Sequence, residues 1–433
     1  RGRSVKIHIV TIGTFGDVLP FVALGEGLKN AGHKVTLCTA DRYRSLVSDH
    51  GLAYGPMTNA LLDLLDAPVG RAAMEEAAGL AGVVKTGLKL AKAVKPISRQ
   101  MMHDAWEAAR AAEPDIVIYH TKILAGPHIA EKLGVPAVMA SLQPALAPTE
   151  AFPAAGLPDL KIGGWYNKLT YRLVALIFGA YADVINEFRG EVLGLGPFPR
   201  SSLLLKTIAG APIPMLHGFS RHVVPRPQDW PEHIHLTGYW FADQASDWHP
   251  PEALKAFLEV GEPPIYVGFG SMVGCNAQQL GDAVVAALTQ AKRRAIVATG
   301  WGALKLDSPP DTILEIEAAP HDWLFPRVAA VVHHGGAGTT AMSLRAGRPS
   351  IVCPFFGDQP FWAKRIHELH AGPAPIPRKK LSAERLMAAI AEATSNPVFE
   401  ENAKALSTRI QAEDGVAKAV AAIENVAAAS AVG

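Results

Sequence analysis

The sequence predicts an α/β protein built from two doubly wound, Rossmann-like domains. Three observations carry this expectation. The 433 residues are too many for one ordinary core and suit two domains of roughly 200 residues each. Short runs rich in Val, Ile and Leu alternate with helix-like segments through both halves. A stretch dense in Pro, Trp, His and Asp, 223–251, has little periodicity and divides the halves.

The first half places strands at Val5–Ile12, Lys34–Thr39, Asp115–Tyr119 and Val135–Ala140. The second places them at Pro264–Phe269, Arg294–Ala298, Thr312–Glu315, Ala329–His333 and Ser350–Cys353. Each run is nearly continuous in apolar residues, as parallel strands covered on both faces require. Helical segments lie between them, such as Pro20–Ala31 and Gln278–Ala291. The expected division is a domain over 1–222, an interdomain connection over 223–251, and a second domain over 252–400. A terminal helical pattern, Asn402–Ala428, follows a break at Pro397; residues 401–433 are expected to return to the first domain.

Composition narrows the function. Half-hydrophobic (49%) and 19% charged, the chain has the make-up of a soluble globular protein. A net charge of +1 gives no global attraction to nucleic acid. Cys38, Cys275 and Cys353 share no metal or redox spacing and read as buried thiols of a reducing compartment. No signal peptide is visible, because the run from Val5 contains Lys6 and His8. No uncharged stretch nears the roughly 20 residues that span a bilayer; Leu173–Ala182 comes closest. The expected location is cytoplasmic, or at most peripheral to a membrane.

The most informative segment is Val331-Val332-His333-His334-Gly335-Gly336-Ala337-Gly338-Thr339-Thr340. A buried strand ends in two histidines, and a glycine turn opens a helix with threonines in its first turn. Glycines let the backbone approach an anion, and free N–H groups at the helix start face it. A histidine adds a donor or a positive charge, so the arrangement suits a pyrophosphate without Mg²⁺. Tight strand–helix packing is one alternative. A dinucleotide site is another, since Gly336-Ala337-Gly338-Thr339-Thr340-Ala341 fits GxGxxA with Asp358 about 20 residues on. That motif lies late in the chain, however, and the fingerprint gives the histidines no role.

Four more loops follow strands of the second half: Gly268-Phe269-Gly270-Ser271-Met272, Thr299-Gly300-Trp301-Gly302, Ala319-Pro320-His321-Asp322-Trp323 and Pro354-Phe355-Phe356-Gly357-Asp358-Gln359. In an open parallel sheet such loops share the edge where ligands bind. A flat aromatic suits a base, and a carboxylate beside an amide suits vicinal sugar hydroxyls. Trp301 and Trp323 also have ordinary packing roles open to them.

With these motifs assembled, the chain resembles nucleotide-sugar glycosyltransferases of the GT-B fold, in which two Rossmann domains face a cleft. Within them it looks most like the sterol 3β-glucosyltransferase branch. The residues that carry the likeness are Gly13-Thr14-Phe15-Gly16-Asp17-Val18-Leu19-Pro20, Gly268–Met272, Pro320-His321-Asp322-Trp323-Leu324-Phe325, His333–Thr340 and Pro354–Trp362. Val224-Pro225-Arg226-Pro227 and Gly238-Tyr239-Trp240 add to it. The resemblance implies that His334 contacts the donor pyrophosphate with Gly336, Gly338 and Thr339 around it. It implies Gly16 and Gly270 in donor binding, Ser271 near the phosphates, Asp358 and Gln359 on the sugar hydroxyls, and Pro320-His321 bordering the base. Plant relatives carry a base-stacking Trp where this chain has Ala318, so Trp301 or backbone groups are left to read the base.

The resemblance also implies that Asp17 is the general base where many relatives have a histidine. By position alone, an aspartate at a helix start equally suits an N-terminal cap. His120, ending another strand, is the second candidate base, with a structural role as its alternative. His120, Phe152 and Trp165 are candidates for the acceptor side, and Tyr166, Tyr171 and Phe178 are further aromatics of the same region. Leu80–Val94 has Leu80, Val83, Val84, Leu88, Ala91 and Val94 near helical spacing, with Lys85, Lys89, Lys92 and Lys95 opposite. Such a helix either lies on an anionic membrane or packs on its own domain.

The expected activity is therefore inverting transfer of glucose from UDP-glucose to a sterol or other lipophilic hydroxyl, with no cofactor and no metal. Transfer of another UDP- or dTDP-sugar to a polyketide, flavonoid or lipid hydroxy acid is the alternative. An NAD-dependent oxidoreductase and a non-catalytic lipid- or nucleotide-sugar-binding protein are the other classes left open.

Overall fold

The computed structural model describes residues 4–67, 79–199, 206, 210–243, 248–270, 276–300 and 302–430, with backbone alone over 79–87 and at 89. Chain packing divides it into two compact units. Arg1–Arg221, Pro225–Ala242 and Asp414–Gly433 form the first; His222–Val224 and Asp243–Glu413 form the second.

The first unit holds a parallel sheet of seven strands. They are β1 (Lys6–Val10), β2 (Lys34–Ala40), β3 (Ala53–Met57), β4 (Ile116–His120), β5 (Ala137–Ser141), β6 (Met215–His217) and β7 (Ile234–Leu236), in the order β3-β2-β1-β4-β5-β6-β7. Three of them lie outside the predicted set. β3 contains Gly55 and Pro56, which hide a strand signal but are tolerated at a sheet edge. β6 and β7 are only three residues long, too short for periodicity to show. β7 lies inside the stretch expected as a connection; its residues extend the first sheet by pairing with β6.

The second unit carries β8 (Ile265–Gly268), β9 (Ala295–Ala298), β10 (Ile313–Ile316), β11 (Ala330–His333) and β12 (Ser350–Val352), in the order β10-β9-β8-β11-β12. All five coincide with predicted runs. In both sheets strand order reverses beside the first strand: between β1 and β4, and between β8 and β11. These are the switch points where loops diverge and leave room for a ligand.

Helices cover both sheets. The helix after β1 runs Phe15–Asn30, starting five residues before Pro20, because Thr14 and Asp17 form a capping box at its head. Its inner face, with Val18, Phe21, Val22 and Leu24, joins Ile7, Ile9 and Ile118 in the core. The terminal helical pattern breaks in two. Pro397–Gln411 belongs to the second unit, while Gly415–Ser430 packs on Phe15–Asn30 in the first. The break falls where Asp414 caps a new helix by accepting from the Ala417 N–H at 2.9 Å. Only the second half of 401–433 therefore returns to the N-terminal unit.

Cys38 and Cys353 are buried free thiols, and Cys275 lies outside the described residues. Among the described residues, no single helix is long and apolar enough to cross a membrane. Gly164–Gly179 and Ala182–Leu193 pass only as a pair bent by 55°.

Candidate active site

In the first unit, β1 leads through Gly13 into the helix at Phe15. Gly13 has φ +145°, and a Cβ there would lie 2.3 Å from Asp17 Oδ2, so only glycine fits beside the carboxylate. Asp17 Oδ2 accepts from the Thr14 backbone N–H at 2.9 Å and the Thr14 hydroxyl at 3.1 Å. Asp17 Oδ1 accepts from Lys122 Nζ at 2.7 Å. The aspartate is thus both part of the helix cap and one half of an ion pair. Burial alone pushes its pKa up, but Lys122, His120 and the Thr14 N–H together outweigh this and hold it below its ordinary value.

His120 and Lys122 arrive from the end of β4, the parallel neighbour of β1. The His120 ring is fully buried and meets Phe21 edge-on at 5.3 Å. Burial, aided by Lys122, pushes its pKa down to about 4, so it is neutral at pH 7. Asp17 and His120 are brought together as separate sequence candidates; Lys122 was not among them. Its only signal was position, since residues just after β1 and β4 become neighbours once the strand order is known.

The acceptor candidates are not gathered in the same way. Phe152 is half-buried against Trp230, with ring centroids 6.2 Å apart. Tyr166 and Tyr171 are buried, their hydroxyls bonded to the Pro158 and Phe152 carbonyls. Trp165 is 64% exposed and touches Tyr166 edge-on. In the amphipathic segment, Leu88 is exposed and Ala91 buried; the side chains of Leu80, Val83, Val84, Lys85 and Lys89 lie outside the described residues.

The second unit repeats the construction at its own switch point. β11 pairs with β8 so that His333 lies opposite Gly268. Beyond them, His334 packs against Gly270 and Gly336: a Cβ at Gly336 would lie 2.5 Å from His334 Nε2. Gly336 is the N-cap of the helix Ala337–Arg345, which places Gly338 and Thr339 in its first turn with their N–H groups unused by the helix. His333 is buried and accepts from the Gly335 N–H at 3.0 Å, which shapes the turn. Nδ1 of His334 and the Thr340 hydroxyl have no hydrogen-bond partner among the described residues. Burial, with His321 nearby, lowers the His334 pKa to about 4. His334 is therefore neutral at pH 7.

His321 follows Pro320, the N-cap of a short helix, and stacks on Phe325 at 4.2 Å with Tyr266 edge-on at 5.8 Å. Asp358 and Gln359 follow β12. Asp358 Oδ2 accepts from Trp362 Nε1 at 2.8 Å, and Gln359 Oε1 accepts from the Phe355 and Phe356 N–H groups at 2.7 and 3.3 Å. Gln359 is nearly buried and also borders Gly335. Gly16 is exposed at the first helical turn of the N-terminal unit. Ser271 and Trp301 lie outside the described residues.

Comparison with known proteins agrees with this construction. Residues 7–151 match the glycosyltransferase family 28 N-terminal domain, and 283–425 match the erythromycin biosynthesis protein CIII-like C-terminal domain. The calicheamicin glycosyltransferase CalG4 shares the fold over 98% of both chains, with TM-score 0.70 at 17% identity. The glycosyltransferase of kitacinnamycin does so over 98% of this chain and 99% of its own, with TM-score 0.72 at 20% identity. The chain belongs to the GT-B glycosyltransferases.

Within that class it is homologous to sterol 3-beta-glucosyltransferases. The Saccharomyces cerevisiae protein (strain YJM789) is 36% identical over 98% of this chain, and the Arabidopsis thaliana protein is 36% identical over 96%. The chain spans 35% of the yeast protein's length and 65% of the plant protein's. This relationship displaces the dinucleotide reading of Gly336–Ala341.

Proposed function

We propose that the protein is an inverting glycosyltransferase that moves glucose from UDP-glucose to the hydroxyl of a sterol or similar lipophilic molecule. The observation that carries this reading is Asp17, an ionised carboxylate held at the switch point of the N-terminal sheet. Residues 1–222 would serve the acceptor and 252–400 the donor.

In the proposed step the acceptor oxygen attacks the anomeric carbon while Asp17 takes its proton. One C–O bond forms, the bond from that carbon to the diphosphate oxygen breaks, and UDP leaves with the electron pair. His334 and the N–H groups at Ala337–Thr339 meet the growing negative charge. One displacement turns an α-linked donor into a β-glycoside. No metal enters this scheme, and Asp358 and Gln359 would hold sugar hydroxyls with whatever capacity their local bonds leave.

The sterol acceptor and UDP-glucose rest on the 36% identity to sterol 3-beta-glucosyltransferases. One observation favours a second reading, a dTDP-sugar donor. The glycosyltransferases VinC and SsfS6, solved with thymidine diphosphates, share the fold at TM-scores of 0.67 and 0.63, at 19% and 20% identity. VinC matches over 97% of this chain and 99% of its own, as does SsfS6.

The test is a screen of UDP- and dTDP-sugars against sterols and aromatic aglycones, with EDTA present, followed by Asp17→Asn. The expected result is β-glucosylation of a sterol, with turnover in the variant reduced about 10²- to 10⁴-fold and UDP binding retained. Near-normal turnover in that variant would place the base elsewhere.

A further inference from the structure

Lys122 reaches Asp17 from a different strand, and no motif marks it. Its ammonium lies 2.7 Å from Oδ1, while Thr14 occupies Oδ2 twice. Asp17 is only 7% exposed, so little water reaches the carboxylate and its protein partners orient it. The lysine borders a small cavity lined by Ser98, Met101, Met102, Ile123 and Leu124, which leaves the ammonium end directed at the aspartate. Two bonds on one oxygen and one on the other leave lone pairs for a single further donor, such as an acceptor hydroxyl.

We infer that Lys122 is the positioning residue for Asp17: it fixes Oδ1 and keeps the carboxylate ionised, setting the acid side of the pH–rate profile. The inference rests on the reading of Asp17 as general base. The other groups facing Asp17 do not replace this charge. His120 is neutral near pH 7, because burial takes its pKa to about 4. Tyr43, near Asp17 on the segment after β2, keeps its proton, since burial moves it up to about 12. The Thr14 hydroxyl is neutral. Near pH 7 Lys122 supplies the full positive charge among the described groups acting on Asp17, and His120 adds to it only as its ring protonates near pH 4.

The sign follows directly. A cation favours the ionised carboxylate, so its removal raises the Asp17 pKa and the acid limb moves to higher pH. The experiment measures kcat/KM against pH for the wild type, Lys122→Met, Lys122→Gln and Lys122→Arg, using the best donor–acceptor pair from the screen. Asp17→Asn is the control. The neutral variants are expected to shift the acid limb upward by about one pH unit or more, while Lys122→Arg keeps it low. Two neutral variants of different shape guard against one that misfolds, and thermal melts confirm folding. If Asp17→Asn is inactive and the limb stays in place in the folded neutral variants, Lys122 does not tune the base and the inference falls alone. If Asp17→Asn retains activity, the assignment of the base fails first and takes the inference with it.

Discussion

At His334 the chain sets an imidazole against two glycines. Gly270 and Gly336 leave the ring just enough room, and burial takes its pKa to about 4. A neutral ring costs little to bury, whereas a fixed cation there would be expensive without its anion. An arriving diphosphate favours the charged form, so binding and protonation of His334 should be linked. In the proposed donor site, His334→Ala would remove one bond to a charged group, commonly worth about 1.5–3 kcal/mol. UDP binding, followed by tryptophan fluorescence, is expected to weaken about 10- to 150-fold. Unchanged affinity would remove His334 from the donor site. Asp17 follows a different logic. Its two oxygens are committed to a helix cap and a lysine, so capping and catalysis are compatible uses of one side chain.

Among the elements, the helix Phe15–Asn30 carries the largest share of responsibility. It presents Asp17 at its head, and its other face receives the C-terminal helix Gly415–Ser430. The two approach closely: a Cβ on Gly27 would lie 2.2 Å from Val416 Cγ1. Ala419, Val420 and Ile423 bury themselves in the same core as Phe21 and Leu24. Ile423 is 1% exposed, so Ile423→Ala should lower the unfolding free energy of the first unit by about 2–5 kcal/mol. Urea denaturation would show this as a lower midpoint. An unchanged midpoint would mean that the terminal helix is dispensable for that core.

On the scale of the whole molecule, pH dependence is set by buried histidines. Burial lowers the pKa of His8, His120, His321 and His334 to about 4, and that of His128 and His217 to about 3. In an unfolded chain these rings titrate near 6.5. A depressed pKa contributes stability that is complete above the unfolded value and is lost as pH falls toward the folded one. Each such group adds a slope of up to about 1.4 kcal/mol per pH unit within that window. Thermal melts are therefore expected to fall steeply from pH 6.5 to pH 4. A flat melting temperature over that range would show that these rings are not buried neutral.

The nine long apolar runs were legible as strands because parallel strands covered on both faces need nothing but apolar residues. The glycine-rich turn between β11 and the helix Ala337–Arg345 was legible too, since a tight strand-to-helix turn leaves a mark in composition. Strands β3, β6 and β7 were not, being short or interrupted by Gly55 and Pro56. The exposure of Trp165 was equally invisible, because a tryptophan in a helical segment carries the same letter in a pocket and on a surface. The sequence by itself determined nine strands of the two sheets, the glycine-rich turn at His334 and the place of Asp17 at a helix start. Only the tertiary structure decided that Lys122, more than a hundred residues away, would bond that aspartate. Strand order is a long-range choice made by packing, and local sequence pattern does not encode which loops meet at a switch point.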